Sequence, residues 1–400
     1  MSNIDSMGPE LSNNKEGDKN LQEQGVIMTD NLIVVRPPAR IGLFSYQADS
    51  QGCGHIRVIF PSILMNQLRT QPKDYQFNSL TSNYFINDIA FYKNFTFVQF
   101  QRSATKHHYD IFKHYHVNIR KQVKTPLIYE IDDLLIDIPE WNYANDYYKQ
   151  NRPHIEEMMK MVDGITVSTE KLKEIYSVYN KNIAVIPNHL PRFTWGDDIL
   201  PKHLRHREGE KIRIGYFGSD NHFCVPPLRA RGIKGGDFGD GLMDFIRKTT
   251  DKYTWVFSGA MPHELDDIKP KIEKYGWHNI LEYPRHLKKL NLDIILAPLM
   301  KNIFNQSKSN IKALEAAAIG AVGVYQDLDP YKLCSMRADT DEEFISKIEA
   351  LGIDINLRAE IYTRDYNALK DQLFWEDSNY LNVKRYVNSY MGLFGKKLDL

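Results

Sequence analysis

The chain has 400 residues, with Lys+Arg and Asp+Glu equal at 51 each, so it is long enough for two ordinary domains or one large α/β unit and has no global field drawing it to nucleic acid or an acidic membrane. Its three cysteines, Cys53, Cys224 and Cys334, are too widely spaced for a disulfide framework or a metal-ligand pattern, which predicts a reducing, cytoplasmic setting. The most apolar later run, LDIILAPLM, is far shorter than the roughly 20 residues of a membrane span, so no integral membrane segment is expected.

The first 25 or so residues carry almost no large apolar side chains and cannot offset the entropy of ordering, which predicts a disordered tail over 1–30. After it, ARIGLFSYQ reads as a strand, and SQGCGHIRVIFPSILMNQL as a glycine turn running into a helix. The same grammar recurs: strand FTFVQFQR, a helix from about Lys106 to Gln122, strand TPLIYEI, helix HIEEMMKMV, strand GITVS, a helix capped near Thr169, and strand NIAVIPN. Prolines, histidines and charges from Pro191 to Lys211 break the pattern, and KIRIGYFGS restarts it. YTWVFSG, NILEY, LDIILAPL and AVGVYQ follow as strands.

Alternating strands and helices predict an α/β fold of two doubly wound, Rossmann-like domains, 31–195 and 212–370, joined by a linker at 196–211. The helical stretch DSNYLNVKRYVNSYMGLF, within 371–400, is expected to pack back across the junction. In such sheets ligands sit at the carboxyl ends of the strands, so the loops after Tyr46, Ile131, Phe217 and Leu299 should line an interdomain cleft.

Several segments could carry chemistry there. In QGCGHIR, Gly52 and Gly54 allow close backbone approach to a ligand, or form a plain tight turn; the segment lacks the G-x-G-x-x-G spacing of a dinucleotide site. Asp132 and Asp133 end the third strand and are candidate catalytic groups, binding hydroxyls, acting as a base or holding a divalent cation, with helix capping as the alternative. Arg57 could reach a phosphate or solvent. Gly218 and Ser219 form a small-residue turn, and His222 just beyond it is a candidate donor contact. The segment 102–124 holds six Lys/Arg and four His against Asp110 alone, and PPLRARGIKGG is a second basic stretch. Either could grip a phosphate backbone. Lys106, Lys113 and Arg120 also recur at seven-residue intervals, as on the solvated face of an amphipathic helix.

The densest signal is FNQSKSNIKALEAAAIG, residues 304–320. Ser307 to Asn310 fall at a helix N-terminus, where unpaired N–H groups and the dipole favour an anion such as a phosphate. Lys308, Lys312 and Glu315 share one face, with Ile311, Leu314 and Ala318 toward the sheet. A lysine-rich solvated helix is the alternative.

FNQSKSNIKALEAAAIGAVGVY resembles the donor-binding signature of GT-B glycosyltransferases, in particular the large retaining group. VSTEKLKEIY, NIAVIPNHL, IRIGYFGS and LIYEIDDLLIDIPEWN extend the resemblance from about Arg40 to Tyr331, toward a branch met in surface-polysaccharide clusters and large tailed bacteriophages. The resemblance implies a nucleotide diphosphate sugar as donor substrate, no permanently bound cofactor and no metal. Glu315 would hold the ribose, Lys308 and Ser309 the leaving diphosphate, and Gly52, Gly54, Gly218, Ser219, His222 and Asn305 would belong to the donor site. Ser307 stands where the family places a first glutamate. The resemblance implies that 31–195 is the acceptor domain and 212–370 the nucleotide-sugar domain, the acceptor being a glycan precursor or a hydroxymethylated base in phage DNA. The rival readings are a catalytically silent relative serving as a scaffold and a nucleic-acid-binding protein.

Overall fold

The computed structural model describes residues 26–29, 32–35, 39–68, 75–207, 209–377 and 380–396; the tail expected over the first 25 residues lies outside them. A short antiparallel ribbon of β1 (Val26–Thr29) and β2 (Leu32–Val35) precedes the first domain. That domain runs β3 (Ala39–Gln47), α1 (52–68), β4 (Tyr75–Ser82), β5 (Phe97–Gln101), α2 (106–123), β6 (Leu127–Ile131), α3 (Asn145–Met161), β7 (Gly164–Val167), α4 (Glu170–Tyr176) and β8 (Ile183–Val185). Its six strands are all parallel, in the order β4-β3-β5-β6-β7-β8. Helices cover both faces, so every residue of β5 and β6 is buried and these strands read as near-continuous apolar runs. Thr169 caps α4 as expected, its hydroxyl accepting from the Leu172 amide at 3.2 Å.

The second domain repeats the plan with β9 (Arg213–Gly218), α5 (Asp240–Lys248), β10 (Thr254–Gly259), β11 (Glu273–Tyr275), α6 (Tyr283–Leu290), β12 (Ile294–Ala297), α7 (Ile303–Gln306), α8 (Ile311–Ile319), β13 (Val322–Gln326), β14 (Arg337–Ala338) and α9 (Asp341–Ile353). Its sheet is also parallel, in the order β11-β10-β9-β12-β13-β14. Two strand expectations need correction. NILEY is not a strand: the Asn279 side chain accepts from the Leu281 and Glu282 amides at 3.0 Å, closing a turn that leads into α6, and Pro284 sits in the first turn of that helix. The strand on this edge is instead β11. In the first domain β4 gives no strand signal in the sequence because YQFNSLTS has no apolar run; it is an edge strand in which positions 77–80 alternate buried and exposed.

Two helices close the molecule. α10 (Ile355–Leu373) lies on the second domain, and α11 (Leu381–Gly392) crosses to the first. Between them the chain is pinned to the end of the first domain, where the Leu190 amide donates to the Leu373 carbonyl at 2.8 Å and the Trp375 amide to the Leu190 carbonyl at 3.0 Å. Tyr386, Val387 and Tyr390 of α11 are buried with Ile41, Leu43 and Phe97 of the first sheet. Each such side chain contributes about 1.5–3 kcal/mol of burial, so the crossing is held mainly by apolar area. No helix among the described residues is long and apolar enough to cross a membrane.

Candidate site between the domains

The carboxyl ends of the two sheets face each other, and the four loops expected at the cleft meet there. They enclose two adjoining cavities. One, of ≈ 180 Å³, is lined by Gly52, Gly218, Gly259, Trp277, Tyr283 and Glu315. The other, of ≈ 230 Å³, is lined by Cys53, Asp132, Asp133, His222, Lys308 and Lys312, with Ser309 beside them. Gly52, Ile56 and Ile311 line both, so the two form one continuous trough.

The segment 303–320 builds one wall. Phe304 leaves its own domain to sit buried in the apolar core of the first. The Ser307 carbonyl accepts from the Thr169 hydroxyl at 3.0 Å, and the Ser309 hydroxyl from the Asn188 side-chain amide at 2.9 Å. These bonds seat the start of α8 directly against the first domain. Ser307 turns its own hydroxyl back to the Ile303 carbonyl at 2.7 Å and is buried. Asn310 heads α8 without a side-chain cap, leaving the dipole end toward the cavity, where Lys308 lies 4.4 Å from the Phe304 ring centroid.

Glu315 is buried and Lys312 half-buried with its ammonium turned inward, which removes the alternative of a solvated helix face. The Lys312 ammonium donates to the Phe217 carbonyl and lies 4.7 Å from the Tyr216 and Phe217 ring centroids. Burial lowers its pKa, against the pull of Glu315. Burial raises the pKa of Glu315, opposed by Lys312 and by a hydrogen bond from Tyr283. Beneath them Ala313, Ala316, Ala317 and Ala318 pack against the sheet, and Gly320 ends the helix in the left-handed region at φ +79°.

On the first domain's side, Asp49 occupies the amides at the start of α1, accepting from Gln51 at 2.5 Å and Gly54 at 3.0 Å. Gly54 rests on the Asp49 backbone, whereas a Cβ at Gly52 would meet nothing within 4 Å and face the trough. Arg57 reaches neither phosphate nor solvent, contrary to both sequence-based options. A π turn over His55–Ile59 holds it inward, its guanidinium donating to Glu130 at 2.7 Å, the Ile186 carbonyl at 2.6 Å and the Asn188 side chain at 2.8 Å. Asp132 and Asp133 cap no helix. Arg102 donates to Asp132 at 2.8 Å, to Asp133 at 3.4 Å and to the Cys53 sulfur at 3.1 Å, and Tyr148 holds its other nitrogen. Burial pushes the Asp132 pKa up, but Arg102 and Arg57 pull it down further, and the carboxyl ends below its ordinary value.

Not every expected residue reaches the trough. Ser219 heads the turn 220–222 and lines neither cavity. Asn305 is fully buried, its amide donating to Asp237 at 2.7 Å and to the Met300 carbonyl at 2.9 Å. Asp237 in turn accepts from the Met300 amide at 2.8 Å and from His222 Nδ1 at 2.7 Å. An acceptor-only carboxylate fixes the proton of neutral His222 on Nδ1, leaving Nε2 as an acceptor. Burial lowers the His222 pKa against the opposing pull of Asp237. Asp237, Asn188, Arg102 and Trp277 were not singled out from the sequence, because they lie in loops with no recurring spacing, nor was Tyr283, the first residue of α6. The basic helix α2 is an ordinary amphipathic one: Lys106 pairs with Asp110 at 2.5 Å, Arg120 with Asp163, and Lys113 covers the Tyr109 ring.

No family model matches the sequence, and no curated protein does. Solved structures match in fold. Sucrose-phosphate synthase from Thermosynechococcus elongatus superposes with a TM-score of 0.55 at 9% identity, over 89% of this chain and 99% of that one. HepE from Anabaena, solved in complex with UDP and glucose, gives 0.54 at 11% identity over 88% and 99%. The lipopolysaccharide outer core galactosyltransferase WaaB gives 0.51 at 13% over 88% and 99%. The two-domain architecture is therefore the GT-B fold, with the C-terminal helices crossing back.

Proposed function

We propose that the chain is a glycosyltransferase that moves a sugar from a nucleotide diphosphate sugar to an acceptor hydroxyl. The observation that carries this reading is the wall at the start of α8, where Lys308, Ser309 and an uncapped helix N-terminus share one trough with buried Glu315 two turns on. Lys308 and the helix end would bind the diphosphate and stabilise its charge as it leaves. The nucleoside would occupy the ≈ 180 Å³ cavity, its ribose hydroxyls against Glu315 and its base near Trp277. Gly52 and Gly218 would let backbone approach the donor. A neighbour in fold solved with UDP and glucose supports a UDP-sugar as the first donor to try.

Asp132 would orient a sugar or acceptor hydroxyl. Held ionised by two guanidiniums, it is a weak base near neutral pH, which favours a front-face, retaining transfer over in-line deprotonation. The paired cations of α2 offer no continuous track for a nucleic acid backbone, so a hydroxyl on a glycan precursor is the preferred acceptor.

The test is turnover: purified protein is offered UDP-, GDP- and ADP-sugars, and release of nucleoside diphosphate is followed. One donor should be consumed, with the rate falling about 10²–10³-fold in Lys308→Ala. Absence of turnover with every donor, with and without glycan acceptors, would refute the reading.

A further inference from the structure

Past Leu299 and the His222–Asp237 pair, the trough opens into a larger cavity of ≈ 670 Å³, outside the two cavities assigned to the donor. That volume lies within the roughly 300–1,000 Å³ of small-molecule sites. It lies at the carboxyl ends of β12, β13 and β14, under the excursion 224–240 that follows β9. The excursion is built rather than loose. Phe223 and Gly236 pair as an antiparallel bridge, and the Asp237 amide donates to the His222 carbonyl at 2.9 Å. Trp141 of the first domain is buried among Cys224, Leu228 and Ile233, and Gly235, at φ +135°, runs so close to the indole that a Cβ would stand 2.8 Å from its Cγ.

The lining is rich in acceptors. Asp237, Asp240, Glu264, Asp339 and Asp341 face Arg229, Lys234 and Lys301. Arg229 pairs with Glu264 and Lys301 with Asp339, Asp237 accepts from His222, Asn305 and the Met300 amide, and one oxygen of Asp341 accepts from the Leu242 amide at 3.1 Å, which leaves Asp240 and the second oxygen of Asp341 facing the cavity. Gln326 is 8% exposed; its Nε2 donates to the carbonyls of Ala338 and Asp339 at 3.1 Å, while Oε1 takes a hydrogen bond from no described residue. Phe238, Met243 and Met300 supply apolar surface between these groups. Among the described residues no group of His, Cys, Asp or Glu has the arrangement of a metal site, so the carboxylates do not form a cation cage.

A cavity with surplus acceptors, net negative charge and apolar patches suits a ligand that donates many hydrogen bonds, carries no negative charge and has C–H faces. We propose that it is a saccharide subsite for an uncharged mono- or oligosaccharide. Asp240, Asp341 and Gln326 Oε1 would accept from ring hydroxyls, while Phe238 and Met300 cover a sugar face. If the glycosyltransferase reading holds, on which this last step rests, the occupant is the acceptor. It would be held mainly by the second domain, in contrast to the first-domain acceptor side that the resemblance implies, and enter the reaction past His222. The charge contrast separates the two ligands: Lys308 and Lys312 attract the diphosphate, while the acidic cavity repels phosphate and nucleic acid alike.

The test uses saturation-transfer NMR on the full chain with maltose, lactose and cellobiose as probes and glucose 6-phosphate as the charged contrast. At least one neutral disaccharide should receive saturation. Its Kd should rise at least fivefold in Asp240→Asn, an exposed position, and further in Gln326→Leu, with Tm recorded for both. Glucose 6-phosphate should bind at least fivefold more weakly than the best neutral probe. No saturation of any neutral probe, a Kd unmoved by both variants, or preference for the phosphate would each overturn the subsite. Donor hydrolysis by the unmodified protein without saccharide reads the donor site separately. Turnover without saccharide binding removes this subsite alone, and saccharide binding without turnover removes the transferase reading alone.

Discussion

Lys312 and Glu315 are three residues apart on α8, the glutamate buried and the lysine half-buried, and desolvation disfavours each charged form while each supports the other. Such an arrangement is costly for a purely structural helix and makes sense where a ligand adds its own charge and hydroxyls. Glu315→Gln keeps the shape but loses the stronger acceptor for ribose hydroxyls; the donor KM should rise about tenfold with kcat little changed, read from initial rates over a donor series. The spacing of Lys308, Lys312 and Glu315 made this face legible in the sequence. What was not legible is the partner set. Tyr283 at the start of α6 and Asn188 and Asp237 in two separate loops are brought to the segment only by the fold. Asn305 shows the reverse case: its neighbours in sequence suggested a ligand contact, yet its amide is spent on Asp237.

At the scale of elements, alternation of strand and helix followed from continuous apolar runs, and it failed where that signal is absent, as in the edge strand β4, or imitated, as in NILEY with its Asn279 turn. The end of α8 illustrates a legible detail. Gly320 has φ +79°, and a Cβ there would run into the Leu200 carbonyl oxygen and stand 2.9 Å from the Pro201 Cα. Gly320→Ala should therefore destabilise the second domain by about 2 kcal/mol or more, measured by urea unfolding. The end of the first domain, just before the linker, holds a pH-sensitive contact that no motif announced. His189 is buried against Trp375, with Nδ1 donating to the Gln372 carbonyl at 2.7 Å, and burial pushes its pKa down to about 4. The unfolded chain takes a proton near pH 6.5 that the folded chain refuses until about pH 4. This contribution is thus intact above pH 6.5, and roughly 3 kcal/mol is lost as pH falls to 4. His189→Gln should flatten that acid limb in a pH series of unfolding free energies.

Across the whole molecule, the domains are joined on both sides of the trough: beside the linker by Leu190, Phe374 and α11, and at the far side by Trp141 packed on the excursion 224–240. Thr169 and Asn188 tie the start of α8 across the middle. A cleft bridged at both margins would exclude water from a bound donor. Trp141→Ala should loosen one margin, raising the ratio of donor hydrolysis to sugar transfer severalfold and increasing the radius of gyration in solution scattering. The domain plan was readable because each half repeats one grammar, whereas the bridge was not, since Trp141 and Gly235 are joined by no local pattern. The central claim is that a nucleotide diphosphate sugar binds in this trough against Lys308 and Glu315. Calorimetric titration of the full chain with UDP-, GDP- and ADP-glucose tests it most directly. The account predicts saturable binding of one of them, weakened at least tenfold in both Lys308→Ala and Glu315→Gln, and an affinity that neither substitution changes, or no binding of any of the three, would contradict it.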